Sequence, residues 1–204
     1  MMEIVVLADD GEFDFLKTVG ENVTWTFTND TDTFFTNKDA DAYFDLRTNA
    51  HADYSSLAKP IFINSMAGTL AENKYAKNVF RINAWPGFIE KDLWELAGIL
   101  NDEVANILQQ LHKKYIVVPD EPGFVSARII AMIINEAYFA LDEQVSTKKD
   151  IDIAMKLGTN YPYGPFEWCN KIGVQHVYQL LAKLSLTDKR FLPSAGIAAA
   201  NTFI

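Results

Sequence analysis

The chain has 204 residues, 49% of them apolar, and a formal net charge of -9 at pH 7. That length suits one large domain or two small ones, with enough apolar side chains for a full core, and the acidic balance excludes a nucleic-acid binder, which needs a basic face, and an anionic membrane surface as partner. The single cysteine, Cys169, excludes an intrachain disulfide and predicts a reducing, cytoplasmic setting; no signal peptide is expected, and no apolar run approaches the about 18 residues of a membrane span.

The first half alternates strands and helices. Residues 3–8 are a short β-branched run and read as a buried strand. Residues 12–19 read as a short helix with Phe13 and Leu16 inward. Residues 22–28 alternate in the strand period, with Val23, Trp25 and Phe27 on one face. Further strands are expected at 33–36, 42–46, 60–64, 79–83 and 115–118. Between them, residues 67–73 and 89–100 read as helices, the second with Leu93, Trp94, Leu96 and Ala97 as its apolar side. A third helix starts at Asn101 or Asp102, either of which can cap it. Its Val104, Ile107, Leu108 and Leu111 fall on one helical face. This alternation predicts a mainly parallel α/β sheet.

A dinucleotide site in such a sheet needs glycines after the first strand, so that the pyrophosphate can approach a helix N-terminus. Here that turn holds one glycine, Gly11, among three carboxylates, Asp9, Asp10 and Glu12. Their charge would repel a pyrophosphate. Asp30 ends the second strand, where a ribose-binding acid would sit, but an exposed loop aspartate is the simpler reading.

The second half is helical. Residues 125–141 are apolar on most of the helix surface, which predicts a helix buried on most sides and shared in part with a second subunit. Thr147 and Asp150 make a capping box for the next helix, and Gly158 is expected to stop it. Pro165 opens another helix and Gly173 ends it. Val174, Val177, Tyr178, Leu181 and Leu184 form a last amphipathic helix, and residues 187–204 read as a partly ordered extension.

This half resembles the C-terminal helical domain of the 3-hydroxyacyl-CoA dehydrogenases. The residues that carry the resemblance are Asp120, Pro122-Gly123-Phe124, Arg128, Asn135-Glu136-Ala137, Asp150-Ile151-Asp152, Met155 and Gly158, and the loop from Pro162 to Glu167. Gly173 and Val177 come after it, and then a closing segment from Asp188 to Pro193. The resemblance implies a reduced Rossmann-like α/β domain over residues 1–119, with a mainly parallel sheet. An all-α domain of the 6-phosphogluconate dehydrogenase C-terminal type is implied over 120–204. The resemblance also implies NAD-dependent oxidation of 3-hydroxyacyl-CoA in fatty-acid metabolism, with a His as base, a Glu that orients it, and a Ser and an Asn on substrate oxygens.

The residues answer that implication unevenly. Ala127 stands where the family has its Asn, and a methyl group donates no hydrogen bond. Phe80 is matched to the family's His; it has no titratable nitrogen. Glu95 is the candidate for the family's Glu, and Ser65, or alternatively Thr69, for its Ser. Thus Glu95 and Ser65 are the catalytic positions implied, no cofactor is expected beyond the NAD of the resemblance, and no metal. His51 reads as a surface loop residue, His112 as a solvated side chain at a helix end, and His176 as exposed. Two functions are open: a 3-hydroxyacyl-CoA dehydrogenase-like oxidoreductase, degenerate in its chemistry, or a non-catalytic dimeric scaffold that binds an acyl-CoA or a protein partner. A homodimer through the helical domain is expected in either case.

Overall fold

The computed structural model describes residues 1–9, 11 and 13–202. Asp10 and Glu12, two of the three carboxylates in the first turn, lie outside the described residues. The chain forms two compact units, Met1–Phe124 and Val125–Ile204. The boundary falls a few residues beyond the expected 119/120. Residues 120–124 are tied into the first unit: Asp120 pairs with Arg81 at 2.8 Å, the Gly123 N–H donates to the Met66 carbonyl, and the Phe124 ring lies 4.5 Å from the Arg81 guanidinium.

The first unit is a seven-stranded sheet in the order β2-β1-β3-β4-β5-β6-β7. Its strands are β1 (Met2–Leu7), β2 (Val23–Thr28), β3 (Ala42–Asp45), β4 (Ile61–Ile63), β5 (Val79–Ile82), β6 (Leu93–Ala97) and β7 (Lys114–Val117). Neighbours run parallel except β5 and β6. The central strands are buried on both faces, as a parallel sheet requires. Ile4, Val6, Phe44, Phe62, Phe80 and Leu96 build one face of the core, and Val5, Leu7, Tyr43, Ile61, Ile63 and Val79 the other. The connections are spare. A 3-10 turn (Asp14–Thr18) joins β1 to β2, α1 (Thr31–Thr36) joins β2 to β3, and α2 (Asp102–Gln110) joins β6 to β7. Asn101 caps α2 by accepting the Val104 N–H.

Several local expectations are corrected. Residues 12–19 hold the 3-10 turn, although Phe13 and Leu16 do point inward. Residues 33–36 are not a strand but the end of α1, because Asp30 accepts the Thr33 N–H and starts a helix there. Residues 67–73 form turns, pinned where Asp120 accepts the N–H groups of Leu70 and Ala71. Residues 89–100 contain β6. Trp94 and Leu96 enter the core on one face, and the intervening Glu95 faces the other way; this is a period of two that the apolar set alone did not separate from a helix.

The second unit is built on α3 (Ser126–Asp142). Around it pack α4 (Lys148–Thr159), α5 (Pro165–Ile172), α6 (Val174–Ser185) and α7 (Ala195–Thr202). Gly158 does not stop α4; Asn160, at φ 56°, takes the left-handed position instead. Pro165 in the first turn of α5 and Gly173 at its end stand as expected. Residues 187–202 carry regular structure rather than a partly ordered extension, and Phe203 and Ile204 lie outside the described residues. A 3-10 turn (Lys189–Phe191) leads into α7, and Phe191 and Ile197 are buried.

Candidate functional site

In an open parallel sheet, ligands gather at the carboxyl ends of the strands. The first such end, after β1, offers little. The Ala8 N–H bonds the Thr28 carbonyl, and the chain then enters the five-residue 3-10 turn with Phe13 at its N-cap and Asp14 in its first turn. The Phe13 ring is buried. A pyrophosphate held by a helix N-terminus needs free N–H groups and a glycine cradle; here the first element is a five-residue 3-10 turn with Asp14 in its first turn and Phe13 packed into the core. Asp30, after β2, spends its carboxylate on the Thr33 N–H at 2.8 Å and on the Thr33 hydroxyl.

The ends of β4 and β5 are chemically richer. Arg81 on β5 is fully buried, and burial lowers the pKa of its guanidinium while Asp120 raises it. Its Nε donates to the Ser65 carbonyl at 2.9 Å, its Nη2 to the Met66 carbonyl, and its Nη1 to Asp120. One cation thus stitches the loop after β4 to the segment after β7. Ser65 is buried, and its hydroxyl donates to the Gly68 carbonyl at 3.4 Å. Thr69 makes a reciprocal pair with Glu72: the Thr69 Oγ1 accepts the Glu72 N–H, and the Glu72 carboxylate accepts the Thr69 N–H.

Glu95 is 9% exposed, in the middle of β6. Antiparallel pairing of β5 and β6 sets Ile82 opposite Leu96, so the residue just past β5 falls beside Glu95. That residue is Asn83. Its amide Nδ2 donates to Glu95 at 3.3 Å, and its Oδ1 accepts the Trp85 N–H. Phe80 is nowhere near this pair in role. It is fully buried in the middle of β5, its ring 5.7 Å from that of Phe62 and pressed against Gly98. Phe80 is therefore a core residue, and Asn83 is the side chain that meets Glu95. Sequence reasoning missed Asn83 because it carried the strand through residue 83, whereas β5 ends at Ile82.

In the second unit the sequence motifs hold backbone. Ala127 is fully buried on α3. Asn135 donates to the Leu192 carbonyl and accepts the Ser194 N–H, clasping the closing segment. Asp152 accepts the Phe166 N–H at 2.8 Å at the start of α5. Glu167 accepts the Gly164 N–H and pairs with Lys156, which lowers its carboxyl pKa. His176 is half-buried, not exposed, and burial lowers its pKa. His51 is exposed and contacts the Tyr75 hydroxyl at 2.8 Å, and His112 is exposed near Glu21. Among the described residues no group of three or more His, Cys, Asp and Glu is placed to hold a metal, and no helix is long and apolar enough to cross a membrane.

The family described as "3-hydroxyacyl-CoA dehydrogenase, C-terminal domain" matches residues 123–196. The 3-hydroxyadipyl-CoA dehydrogenase of Escherichia coli is 48% identical over 88 residues, 42% of this chain and 18% of that protein. A probable 3-hydroxybutyryl-CoA dehydrogenase of Bacillus subtilis is 34% identical over 93 residues, 45% of this chain and 32% of that protein. The matched stretch thus spans a third or less of these curated relatives. Among solved structures, the (S)-3-hydroxybutyryl-CoA dehydrogenase of Ralstonia eutropha is similar with a TM-score of 0.66 at 23% identity, over 87% of this chain and 69% of that one. The 3-hydroxybutyryl-CoA dehydrogenase of Escherichia coli gives 0.58 at 27% identity, over 80% of this chain and 32% of that one.

Proposed function

We propose, from the match of residues 123–196 to the 3-hydroxyacyl-CoA dehydrogenase C-terminal domain family, that this chain is a homologue that keeps the architecture and does not carry out the oxidation. The observation that carries the reading is the pair Asn83–Glu95. Oxidising a 3-hydroxyl group removes the O–H proton to a base as hydride leaves carbon for the nicotinamide. An imidazole beside Glu95 could take that proton and the carboxylate would stabilise the cation that forms. A carboxamide cannot: its oxygen is not basic near neutral pH, and its N–H₂ only donates.

Two further features support the same reading. Ala127 offers no donor to a substrate oxygen. The turn after β1, with a buried Phe13 and Asp14 at the head of a 3-10 turn, does not fit a dinucleotide.

What remains is a scaffold for recognition. Glu95 and Ser65 stay in the reading as the family-equivalent positions, as polar contacts for a ligand rather than reacting groups. The chain acts as a homodimer through its helical unit and binds an acyl-CoA or a protein partner within fatty-acid metabolism, in the reducing cytoplasm that its single buried thiol suits. The test is NAD-dependent oxidation of 3-hydroxybutyryl-CoA together with calorimetric titration of NAD. Neither turnover nor binding heat is expected. Robust turnover that disappears on Glu95→Ala would overturn the reading.

A further inference from the structure

Two connections of the first unit cross the sheet without a helix: residues 46–60, between β3 and β4, and residues 64–78, between β4 and β5. A parallel sheet needs cover on both faces, and on this face α1 and a set of aromatic rings supply it. Tyr54 belongs to the core of this face with Val5, Tyr43, Ile61 and Val79, and Phe35 and Tyr75 pack against it. The rings form a ladder that ends in His51: Phe35 to Tyr54 at 5.9 Å, Tyr54 to Tyr75 at 5.5 Å, and Tyr75 to His51 at 6.1 Å. The two connections are tied to the sheet and to each other. The Tyr54 hydroxyl donates to the buried Asp45, and the Asn78 amide donates to the Leu57 and Lys59 carbonyls at 2.9 and 3.0 Å. Where they part, a cavity of about 380 Å³ is left, lined by His51, Tyr54, Lys74, Tyr75, Ala76 and Val79.

The open end of the ladder is polar and held in place. His51 Nδ1 and the Tyr75 hydroxyl are 2.8 Å apart, a bond that joins the two connections. It fixes the imidazole and turns Nε2 away from Tyr75. A hydroxyl that donates to Nδ1 leaves the imidazole proton on Nε2, which then serves as a donor; Nε2 has no partner among the described residues. Tyrosines aside, the titratable side chains lining the cavity are His51, Asp53 and Lys74. Asp53 is spent inside its own loop, where its carboxylate accepts the Ser55 N–H at 2.9 Å and the Ser55 hydroxyl. Lys74 remains. Its backbone is left-handed, φ 53°, in a tight turn closed by the bond from the Tyr75 N–H to the Leu70 carbonyl, which brings Lys74 and Tyr75 to the same cavity. We propose that this cavity binds a small aromatic carboxylate. Its ring extends the ladder against Tyr75 and His51, over Ala76 and Val79, at the tilted spacing the rings already keep. Its carboxylate accepts from His51 Nε2 and from the Lys74 ammonium. The volume lies at the small end of ligand pockets and is too small for an acyl-CoA, so this site is independent of the function proposed above.

Benzoate is the probe, titrated into the full chain and followed by NMR on the ring resonances of His51 and Tyr75, with His51→Ala to identify the first of them. A saturable shift with a dissociation constant of about 1 mM or tighter is expected. Lys74→Asn removes the ammonium, and asparagine tolerates the left-handed backbone; it should weaken binding about fivefold or more, with circular dichroism as the check that the fold is kept. Benzamide keeps the ring and loses the charge, and should bind about fivefold more weakly than benzoate, or worse. Cyclohexanecarboxylate keeps the charge and loses the aromatic face, and should bind about threefold more weakly. No saturation by about 20 mM benzoate overturns the site, as does a saturable shift that leaves both rings unmoved. Benzamide binding as tightly as benzoate, or Lys74→Asn without effect, overturns the carboxylate. Cyclohexanecarboxylate binding as tightly as benzoate overturns the role of the ladder.

Discussion

Gly164→Ala is the sharpest test of the view that the family motif in the helical unit is there to hold backbone. Gly164 has φ −72° and ψ 164°, which any residue can adopt, so the substitution brings no backbone strain. The obstacle is Asp152. A Cβ at position 164 would fall under 3.0 Å from the Oδ1, Cβ and Cγ of Asp152, and the conflict with Cβ means that the whole side chain must move, not only its tip. Displacing it breaks the bond to the Phe166 N–H that caps α5, worth about 1 kcal/mol, and crowds a packed site, worth about 1–3 kcal/mol. The smaller conformational freedom of Ala in the unfolded chain returns about 0.4–1 kcal/mol. The net expectation is a loss of about 2–3 kcal/mol, or a melting temperature lower by roughly 4–12 °C for a chain of this size. Gly158→Ala is the internal control. It lies in α4, nothing meets its Cβ within 4 Å, and it should raise stability by about 0.5–1 kcal/mol. Thermal unfolding followed by circular dichroism reads both. If the two alanines move the midpoint alike, Asp152 is not the constraint and the clasp argument fails.

Three other outcomes are expected. His176 has its pKa lowered by burial, so the unfolded chain binds its proton first as pH falls. Stability should therefore drop as pH falls below about 6.5, and His176→Gln should flatten that part of the urea-midpoint profile; an unchanged slope counts against it. Asp120→Ala removes the carboxylate that pairs with the fully buried Arg81 and should cost about 3 kcal/mol in urea unfolding, whereas a loss under about 1 kcal/mol would mean that the loop carbonyls alone satisfy the guanidinium. Asn83→His places an imidazole against Glu95; its titration by NMR is expected above about 6.5 because the carboxylate favours the cation, and on the function proposed above oxidation of 3-hydroxybutyryl-CoA stays absent. A titration at or below the ordinary value would show that Glu95 does not face that position.

The strands of the first unit were legible where an apolar, β-branched run is short, as within residues 3–8, where Ile4 to Ala8 are all apolar, because only a buried strand suits so short a run. Residues 89–100 misled because Leu93, Trp94, Leu96 and Ala97 fit a helical stripe as well as an alternating one, and only the partners across the sheet decide between them. Phe80 was misplaced for a related reason. A residue matched by spacing to a base must leave the sheet to reach anything, and the position that does so, Asn83, is visible only once β5 is seen to end at Ile82. In the second half the motifs were read in the right order because their capping signals are local: Thr147, Pro165 and Gly173 each act within a turn of themselves. Asn135 was not legible in the same way. Its two bonds reach Leu192 and Ser194, far along the chain.

That last clasp has a consequence for how the protein is made. α3 emerges from synthesis before the residues that Asn135 grips: Ser194 lies 59 residues further along the chain, and both it and Ile197 are fully buried. Until they arrive, the central helix has an open slot along its length and a polar amide with nothing to hold. The sheet unit can be complete by then, since domains generally fold as they leave the ribosome, N-terminal first. The helical unit cannot close until the segment around Ser194 has been made. A chain cut short before residue 188 would carry the motifs as far as Val177 and lack the segment that makes them a core.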